Sequence, residues 1–467
     1  MRIGIGVPPD NIPSTGATIV VKLLSSEPWL TNRPDGRQAE RIATSWTWDA
    51  AGTTLRLKLR NDVYFHDGDR VTPELAAEAL RETHKNWRTE AFSFQNVREI
   101  VPSGDDSIDI RLSEPNYFVV PDLSAVVLTK AGKPDVATGP FQVVSKTNQE
   151  AVLSAFPQYY RGRPGVSRIE VRSYPTQRNA WSALMRSDID MLHEVSRDAA
   201  EFVEAESTVK AYRFPRPYYI PLVFNVRHPV LKKIAVRQAI NVAVDKAALV
   251  GDGMSGRGRP ADGPIFPQHW AYTASVPPFE FDPVRAKQQL DQAGFIERPS
   301  ADGTASRRFS FTCLVFADDT RFDRLAVMVQ KQLSDVGIDM KLQPLPLREF
   351  GKRLMTGDFD AFIFEMAGRS LSWVNEFWRS HEGALNNSGY QAADAILDRI
   401  RTSRSDDEVR AAVADLERVM HADPPAAFLV WQETSRAVST HFDVAAEENR
   451  DILTNLWQWR PAKQVVR

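Results

Sequence analysis

The sequence has almost no cysteine, since Cys313 is the single thiol among 467 residues. One thiol cannot form an internal disulfide, and a structural zinc cluster needs several soft ligands. Cys313 lies within the apolar run Phe309–Phe316, which predicts a buried strand position. A reactive thiol is the alternative, but it needs an electropositive and partly exposed setting. A disulfide-stapled domain and a cysteine-based metal centre are therefore excluded.

Long apolar runs and an excess of one charge are also missing. No run of about 18 apolar residues is present, so no transmembrane helix is predicted. Lys and Arg total 58 against 60 Asp and Glu, a formal net charge of −2, which gives no bias toward nucleic acid or an anionic membrane surface. The segment Met1–Val7 has no long apolar core, so it predicts a first strand rather than a signal peptide.

Motifs that carry catalytic or metal chemistry are absent as well. The sequence contains no HExxH, Walker A or GxSxG pattern, and its eight histidines show no helical pair at metal spacing. His66, in an FHDG turn, is predicted to be structural. The segment 251–256 fits GxGxxG, but it follows a predicted helix and leads into a proline-containing loop, so it lacks the strand–turn–helix context of a dinucleotide site. We therefore predict no catalytic residue, no metal site and no cofactor.

What is present is an interleaving of strand and helix patterns. Residues 54–60 alternate apolar and polar side chains, the period of a half-buried strand. Thr72 is placed to cap a helix that has Pro73 at its first position. Further apolar stripes predict helices over 233–250 and around 325–336, and another begins at Asp282-Pro283. This alternation predicts an α/β architecture.

An internal repeat is the most informative feature of the organisation. The segment Leu184–Asp190 (LMRSDID) recurs as Leu354–Asp360 (LMTGDFD), and both copies stand in the order strand, proline loop, helix, turn, strand. Two similarly built lobes are therefore predicted, and a cleft between lobes that close by hinge motion would suit a small ligand. The alternative is two lobes packed rigidly together. The Asp-x-Asp pair in each copy predicts turn hydrogen bonding, and a hydrolase that uses these carboxylates is a further alternative.

Six segments, taken in order, resemble the extracellular solute-binding proteins of family 5, the peptide- and nickel-binding type. They are Ala43–Leu80 (ATSWTWDAAGTTLRLKLRNDVYFHDGDRVTPELAAEAL), Ala137–Phe141 (ATGPF), Phe224-Asn225 with Val236–Lys246, Asp282–Phe295, Gln332–Asp360, and Asn386–Tyr390. The resemblance covers most of the chain. It implies a periplasmic-binding-protein-like α/β fold, with two lobes around a ligand cleft and a small accessory subdomain.

The resemblance also implies a segmented arrangement of the chain. The first lobe would contain residues 1–42, 137–225 and 435–467. The accessory subdomain would contain residues 43–136, and the second lobe residues 226–434. The chain would thus cross between the lobes more than once.

The function implied by the resemblance is that of a receptor for an ABC importer, without catalysis. It would capture a peptide or other small organic solute between closing lobes and pass it to permease subunits in the membrane. The family further implies a monomer in the periplasm or at the cell surface, exported with a leader that this chain lacks, and no nucleic-acid partner. The alternative is a relative that binds an envelope protein or component instead of transporting a solute.

The predicted ligand contacts begin directly after the second copy of the repeat: Glu365, Arg369, Trp373, Asn375 and Phe377. They follow a predicted strand, and α/β folds place binding groups past the carboxyl ends of strands. Aromatic rings supply flat walls, whereas Glu and Arg can pair with ligand charges. Packing of the helix onto its lobe is the alternative for Phe377. Peptide binders of the family carry an acidic residue and Asp-Pro after the tryptophan, and that acid can hold a peptide amine. This chain lacks the Asp-Pro, so the resemblance does not extend to this acid, although Glu365 or Glu376 could take its role. Arg369 indicates an anionic group on the ligand.

Five further contacts are predicted elsewhere in the chain. Tyr218 and Tyr219 stand just before the predicted crossing strand, so at least one of them is expected to face the cleft. Asn225 is a further candidate from the hinge, and Asn386 lies in the sixth matching segment. Trp29 is a candidate from the first lobe, with core packing as the alternative.

Overall fold

A computed structural model gives the structure of residues 1–6, 17–86, 92–147, 149–299, 306–317, 319–368, 370–381 and 384–463. The strands are β1 (Arg2–Gly6), β2 (Glu27–Pro28), β3 (Leu30–Asn32), β4 (Gln38–Glu40), β5 (Ala43–Trp48), β6 (Thr54–Leu59), β7 (Val97–Ser103), β8 (Ser107–Leu112), β9 (Val127–Lys130), β10 (Lys133–Ala137), β11 (Phe141–Lys146), β12 (Glu150–Ala155), β13 (Arg168–Tyr174), β14 (Met191–Leu192), β15 (Val209–Phe224), β16 (Gly258–Pro260), β17 (Arg298–Pro299), β18 (Ser306–Arg307), β19 (Phe309–Phe316), β20 (Ile338–Leu345), β21 (Ala361–Ile363), β22 (Met366–Ala367), β23 (Ala426–Ser439), β24 (Phe442–Asp443) and β25 (Arg460–Pro461).

The α-helices alternate with these strands. They are α1 (Ala17–Ser25), α2 (Pro73–Lys85), α3 (Val119–Asp122), α4 (Gln177–Met185), α5 (Arg197–Ala205), α6 (Ile234–Ala243), α7 (Lys246–Ala248), α8 (Pro283–Gln292), α9 (Thr320–Ser334), α10 (Leu347–Thr356), α11 (Leu371–Trp378), α12 (Asp394–Thr402) and α13 (Asp406–Ala422). The described residues also contain two 3₁₀ segments, Phe92–Asn96 and Ile452–Gln458, and one π-helical segment, Leu249–Gly253. The mixed α/β class predicted from the sequence is confirmed.

The chain forms two compact units. Unit 1 comprises Met1–Pro215 and Thr434–Arg467, and unit 2 comprises Arg216–Glu433. The chain passes between the units inside the two long strands β15 and β23. The first passage lies ahead of the predicted 225/226 boundary, because the second half of β15 pairs with strands of unit 2. The separate accessory subdomain at 43–136 stays a prediction.

Unit 1 contains a sheet in the order β11-β12-β13-β1-β14, in which β1 runs parallel to both β13 and β14. The last residues of β23 pair with β14 in antiparallel register, with Met191 opposite Val438. A second, antiparallel sheet has the order β5-β6-β8-β7 and packs against α2 over its own apolar core. The predicted cap of α2 is confirmed, since Thr72 Oγ1 accepts a hydrogen bond from the Leu75 amide.

Unit 2 is built around the parallel strands β19, β20 and β21, and β21 pairs antiparallel with β15. Helices α6, α8 and α9 contribute apolar faces to the core of this unit. Cys313 lies fully buried in β19, as the apolar run predicts, and burial raises the pKa of its thiol. The thiol is therefore a packing group at neutral pH, since the thiolate is the reactive form.

One predicted helix is interrupted. The stripe over 233–250 predicts a single helix, but α6 ends at Ala243 and α7 begins at Lys246. Val244 is extended, and Asp245 caps α7 by accepting from the Ala248 amide at 2.9 Å. The Asp245 amide donates to Oε1 of Gln332 at 3.0 Å. The break is therefore held by a contact with α9, which the local periodicity cannot reveal.

The repeated segment folds the same way in both units. After α4 and α10, Ser187 and Gly357 adopt φ of 60° and 72°. The second aspartate of each copy then accepts a hydrogen bond from a backbone amide of a neighbouring parallel strand. Asp190 accepts from the Arg2 amide of β1 at 2.7 Å, and Asp360 accepts from the Thr312 amide of β19 at 2.8 Å. These two bonds are tertiary contacts, and each carboxylate thereby joins its turn to a neighbouring strand of its own unit. Hydrogen bonding within the turn, as predicted, is made by the first aspartate in unit 1, where Nε of Arg186 donates to Oδ2 of Asp188 at 2.9 Å.

Within the part of the chain that the structure describes, every helix falls short of the length and hydrophobicity that a membrane span needs. The same described ranges hold no group of three or more His, Cys, Asp or Glu side chains placed to bind a metal ion.

Candidate functional site

A polar cluster lies past the carboxyl ends of the parallel strands in unit 2. Strand β19 ends at Phe316 and β21 ends at Ile363, and the chain then supplies Asp319 and Glu365. Asp319 caps α9 by accepting from the Arg321 amide at 2.9 Å. Because neighbouring parallel strands end at the same edge of a sheet, the two carboxylates come to the same region of unit 2.

Arg321 joins the two carboxylates. Its Nε lies 3.0 Å from both oxygens of Asp319, and its Nη1 lies 3.5 Å from Oε2 of Glu365. Nη1 also donates to Oε1 of Gln432 at 2.8 Å, and Nε2 of Gln432 donates to Oε2 of Glu365 at 2.9 Å. Residues from three distant parts of the chain thus form one charged network. Among the described residues, Arg321 and Gln432 both contact Glu365 through its Oε2 atom.

Charge pairing in this cluster affects Asp319 most clearly. Burial favours the neutral acid, but hydrogen bonding and charge attraction from Arg321 outweigh it and hold the pKa of Asp319 below its usual value. Arg216 lowers this pKa further, and its guanidinium stacks 4.8 Å from the ring centre of Tyr218. The side chain of Gln432 is buried, whereas those of Glu365 and Arg321 are 23% and 33% exposed. The cluster therefore presents charged groups that a solute can reach.

Helix α11, which follows β21 and β22 along the chain, carries the aromatic side chains of this region. Trp373 and Phe377 are both half-buried, and their ring centres lie 5.7 Å apart. Trp378 has a different environment, because it is 2% exposed and its Nε1 donates to the Tyr219 hydroxyl at 2.8 Å. The helix thus packs onto unit 2 through Trp378 and keeps Trp373 and Phe377 partly accessible.

Two predicted asparagines retain an unused acceptor. Nδ2 of Asn386 donates to the backbone oxygen of Phe377 at 3.2 Å. The Oδ1 atoms of Asn375 and Asn386 are buried, and neither has a hydrogen-bond partner among the described residues. A buried amide oxygen without a donor is costly, so both atoms are candidates for a donor from outside the chain.

Three predicted contacts are buried in the structure. Tyr219 is fully buried, with ring neighbours Phe428 and Trp431. Asn225 is 6% exposed, and its Nδ2 donates to the backbone oxygens of Gly357 and Phe359 at 3.1 and 2.6 Å.

Trp29 is likewise 1% exposed, and it packs in the core that α2 shares with the antiparallel sheet of unit 1. Burial and these contacts favour packing for Tyr219 and Asn225, and burial favours the core-packing alternative for Trp29, although the indole Nε1 of Trp29 is buried without a hydrogen-bond partner among the described residues. Their ligand roles stay predictions. Arg369, also predicted, lies outside the described residues. Tyr218 is half-buried beside Arg216 and remains a candidate.

Comparison with known proteins identifies the chain. The family model of the bacterial extracellular solute-binding proteins, family 5, matches residues 38–386. The chain belongs to this family. It is therefore a solute-binding protein of the class that works with ABC importers, as the resemblance implies.

Curated relatives of this family 5 protein are binding proteins. The oligopeptide-binding protein AppA of Bacillus subtilis is 25% identical over 456 residues, covering 88% of this chain and 81% of the relative. The heme-binding protein A of Haemophilus influenzae is 23% identical over 432 residues, covering 82% and 77%. At these identities the relatives agree on binding as the activity and differ in what their names say they bind.

Solved structures show the same fold. The crystal structure of NikA from Brucella suis in complex with Fe(III)-EDTA matches with a TM-score of 0.87 at 19% identity, covering 99% of this chain and 100% of that one. The structure of AppA from Bacillus subtilis in complex with a nonapeptide matches with a TM-score of 0.79 at 20% identity, covering 99% of each chain. The periplasmic-binding-protein-like fold is thereby confirmed.

Three members of the network were not predicted from the sequence of this family 5 protein: Asp319, Arg321 and Gln432. A signal existed for Gln432, because it ends the otherwise apolar run Ala426–Trp431, and a polar residue in a buried strand needs a polar partner. Asp319 precedes a helix start and could be read as a cap. For Arg321 the local sequence offered nothing that separates it from a surface arginine.

Proposed function

We propose that this protein captures a peptide or a comparable small organic solute, without catalysis, at the carboxyl edge of the parallel strands of unit 2. The observation that carries the proposal is the network of Glu365, Arg321 and Gln432 at that edge in a member of a solute-binding family. Relatives whose names state oligopeptide or dipeptide binding support the peptide class.

The side chains at this edge divide into two kinds of contact. Trp373 and Phe377 offer partly exposed rings that can cover apolar parts of a solute at low entropic cost. Glu365 keeps Oε1 for a ligand donor, such as an amine or a peptide N–H, while Arg321 and Gln432 hold Oε2 in place. The amide oxygen of Asn375 can accept a further donor. Charged hydrogen bonds would orient the solute, and the rings would tolerate varied side chains.

We further propose that the protein acts as a monomer in the periplasm or at the cell surface and passes its solute to the permease of an ABC importer. Family membership supports this setting. Closure of two lobes around the solute stays a prediction, which small-angle scattering with and without solute would test.

Thermal unfolding with defined di- to nonapeptides tests the proposal. A peptide at 100 times its dissociation constant should stabilise the native protein by about 2.7 kcal/mol. Glu365→Gln and Trp373→Ala should each weaken that peptide by about tenfold, because they remove a charged hydrogen bond and an aromatic contact. Glu280→Gln, an exposed position in unit 2, is the matched control and should bind as wild type does.

The proposal fails if no peptide or other organic solute shifts the melting temperature. The proposed position of the binding site is wrong if Glu365→Gln and Trp373→Ala bind the solute as tightly as Glu280→Gln. Recovery of an envelope protein without a permease in a cross-linking experiment would favour the alternative receptor function.

A further inference from the structure

A polar cavity of about 410 Å³ lies within unit 1, and every residue that lines it belongs to that unit. It is therefore distinct from the cluster in unit 2. Four arginines contribute to the lining: Arg41, Arg60, Arg161 and Arg450. The lining also includes two acidic residues, Glu40 and Glu447, and residues with hydroxyl and amide groups. The cavity is thus rich in hydrogen-bond donors.

Two of these arginines are neutralised by carboxylates of their own. Arg41 is paired with the buried Glu27, which also accepts from the Tyr159 hydroxyl. Arg60 makes a two-pronged contact with Asp62, with both distances at 2.9 Å. These charges are satisfied by the protein itself.

The third arginine is satisfied in the same way. Nη1 of Arg450 donates to Oε2 of Glu447 at 2.8 Å, and Asn455 donates to the other oxygen at 2.7 Å. Glu447 therefore has both oxygens occupied, and its hydrogen bonds with Arg450 and Asn455, together with the nearby charge of Arg161, hold its pKa below the usual value. It stays charged and committed near neutral pH.

Arg161 differs from the other three. Among the described residues no carboxylate oxygen lies within 4.0 Å of its guanidinium, which instead stacks 4.9 Å from the ring centre of Trp457. Its Nη1 is buried and has no hydrogen-bond partner in the described part of the chain. A buried guanidinium N–H without an acceptor is costly, and an anion is the partner that relieves the cost most.

The adjacent Tyr160 shows the same deficiency. Its hydroxyl is buried without a partner among the described residues, and its ring lies 4.7 Å from the guanidinium of Arg60. Burial raises the pKa of this phenol, so the group stays protonated and can donate. Arg161 and Tyr160 therefore both line the cavity, and each has a buried donor that no described residue satisfies.

We propose that this cavity binds a small organic or inorganic anion with carboxylate or phosphate groups, held by Nη1 of Arg161 and the hydroxyl of Tyr160. The flat guanidinium fork matches the paired oxygens of both groups. Taking about 30 Å³ for each water displaced, the cavity has room for an anion the size of citrate or a phosphomonoester. The site is independent of the solute site proposed for unit 2.

Isothermal titration with citrate and with inorganic phosphate, at constant ionic strength in sodium chloride, tests the proposal. We expect at least one of the two anions to bind saturably at one site per chain. The anion that binds more tightly shows whether the cavity prefers carboxylate or phosphate groups. Arg161→Gln should weaken it by about tenfold or more, since it removes a charged hydrogen bond. Tyr160→Phe removes only the hydroxyl and should weaken it by roughly threefold.

Arg163→Gln is the matched control, because Arg163 is exposed and stands two positions away. It should bind the anion as wild type does, and so should Glu365→Gln, which tests the other site. Failure of both anions to bind at millimolar concentration would overturn the proposal. Equal binding by Arg161→Gln, Tyr160→Phe and Arg163→Gln would overturn it too, since that indicates nonspecific screening. If Arg161→Gln does not fold, as judged by circular dichroism, Tyr160→Phe alone decides.

Discussion

Single side chains explain how this family 5 protein separates packing groups from groups that a solute can reach. In unit 2 the amide of Asn225 and the hydroxyl of Tyr219 are used up by neighbours, whereas Glu365 has one oxygen engaged. The distinction depends on burial and partners, not on residue type. Two predictions belong to this scale.

Asn225→Ala should destabilise the protein by about 1–3 kcal/mol, because it leaves the backbone oxygens of Gly357 and Phe359 without their donor inside the fold. Urea unfolding measures the change, and the exposed Gln391→Ala serves as control. Wild-type stability combined with lost solute binding would support Asn225 as a ligand contact.

Asp319→Asn should lower the free energy of unfolding at neutral pH. In acid the variant and the wild type should be about equally stable. The folded pKa of Asp319 is lowered, so its stabilisation is present above the unfolded pKa, about 3.9, and is lost as pH falls through the folded pKa. Asparagine can still cap α9, so the comparison isolates the charge.

Denaturant unfolding of the wild type and of Asp319→Asn, from neutral pH down through the folded pKa of Asp319, measures this difference in stability. The exposed Asp252→Asn is the reference variant. A stability difference between wild type and Asp319→Asn that does not narrow in acid would show that the Arg321 pairing is not its cause.

At the scale of elements, the repeated turn shows how one local design serves two units. Ser187 and Gly357 occupy equivalent positions with positive φ, a conformation that costs a non-glycine residue roughly 1 kcal/mol. In both copies the residue that follows donates its amide to the helix before it, Asp188 to Ala183 and Asp358 to Arg353. The turn is therefore conformationally demanding in both units.

A reciprocal exchange tests this equivalence. Ser187→Gly should stabilise unit 1 by up to about 1 kcal/mol, because glycine adopts the left-handed conformation freely. Gly357→Ser should destabilise unit 2 by more than this, since a Cβ there would lie 2.9 Å from the backbone oxygen of Asn387. Melting curves of the two variants should shift in opposite directions, and shifts of the same sign would contradict the shared geometry.

At the scale of the whole molecule, the path of the chain makes the two units unequal. Unit 2 is one continuous segment, whereas unit 1 needs the C-terminal residues after 433. Those residues pair with β14 and bury Leu456 and Trp459 in the core of unit 1. Burial of such a side chain contributes about 1.5–3 kcal/mol, so a few of them approach the stability of a whole domain.

We therefore expect the fragment 216–433 to fold alone and the fragment 1–215 to remain unfolded. Circular dichroism and cooperative urea unfolding of each fragment measure this. Co-expression of 1–215 with 434–467 is the control and should restore a folded unit 1. A cooperative transition for 1–215 alone would show that the C-terminal segment is dispensable.

Much of this architecture followed from local patterns. The cap at Thr72 and the strand around Cys313 depend on neighbours within a few residues, and the position of the two turns follows from a repeated spacing. The bonds that Asp190 and Asp360 accept from Arg2 and Thr312 did not follow, because their donors lie in distant strands. The break after Ala243 did not follow, because Gln332 holds it from another helix. Local periodicity indicates only which face of an element is apolar, so it cannot predict a contact with a residue that is distant in the sequence.

The sequence by itself determined the α/β class, the repeated turn and the family, since ordered motifs and periodicity are properties of the chain alone. Only the tertiary structure decided which candidates became core and which kept an accessible group. Glu365, Arg321 and Gln432 come from three separate segments, and Arg161 is distinguished only by the partners it lacks among the described residues. Burial and hydrogen-bond satisfaction are set by the whole fold, and so they could not be assigned one residue at a time.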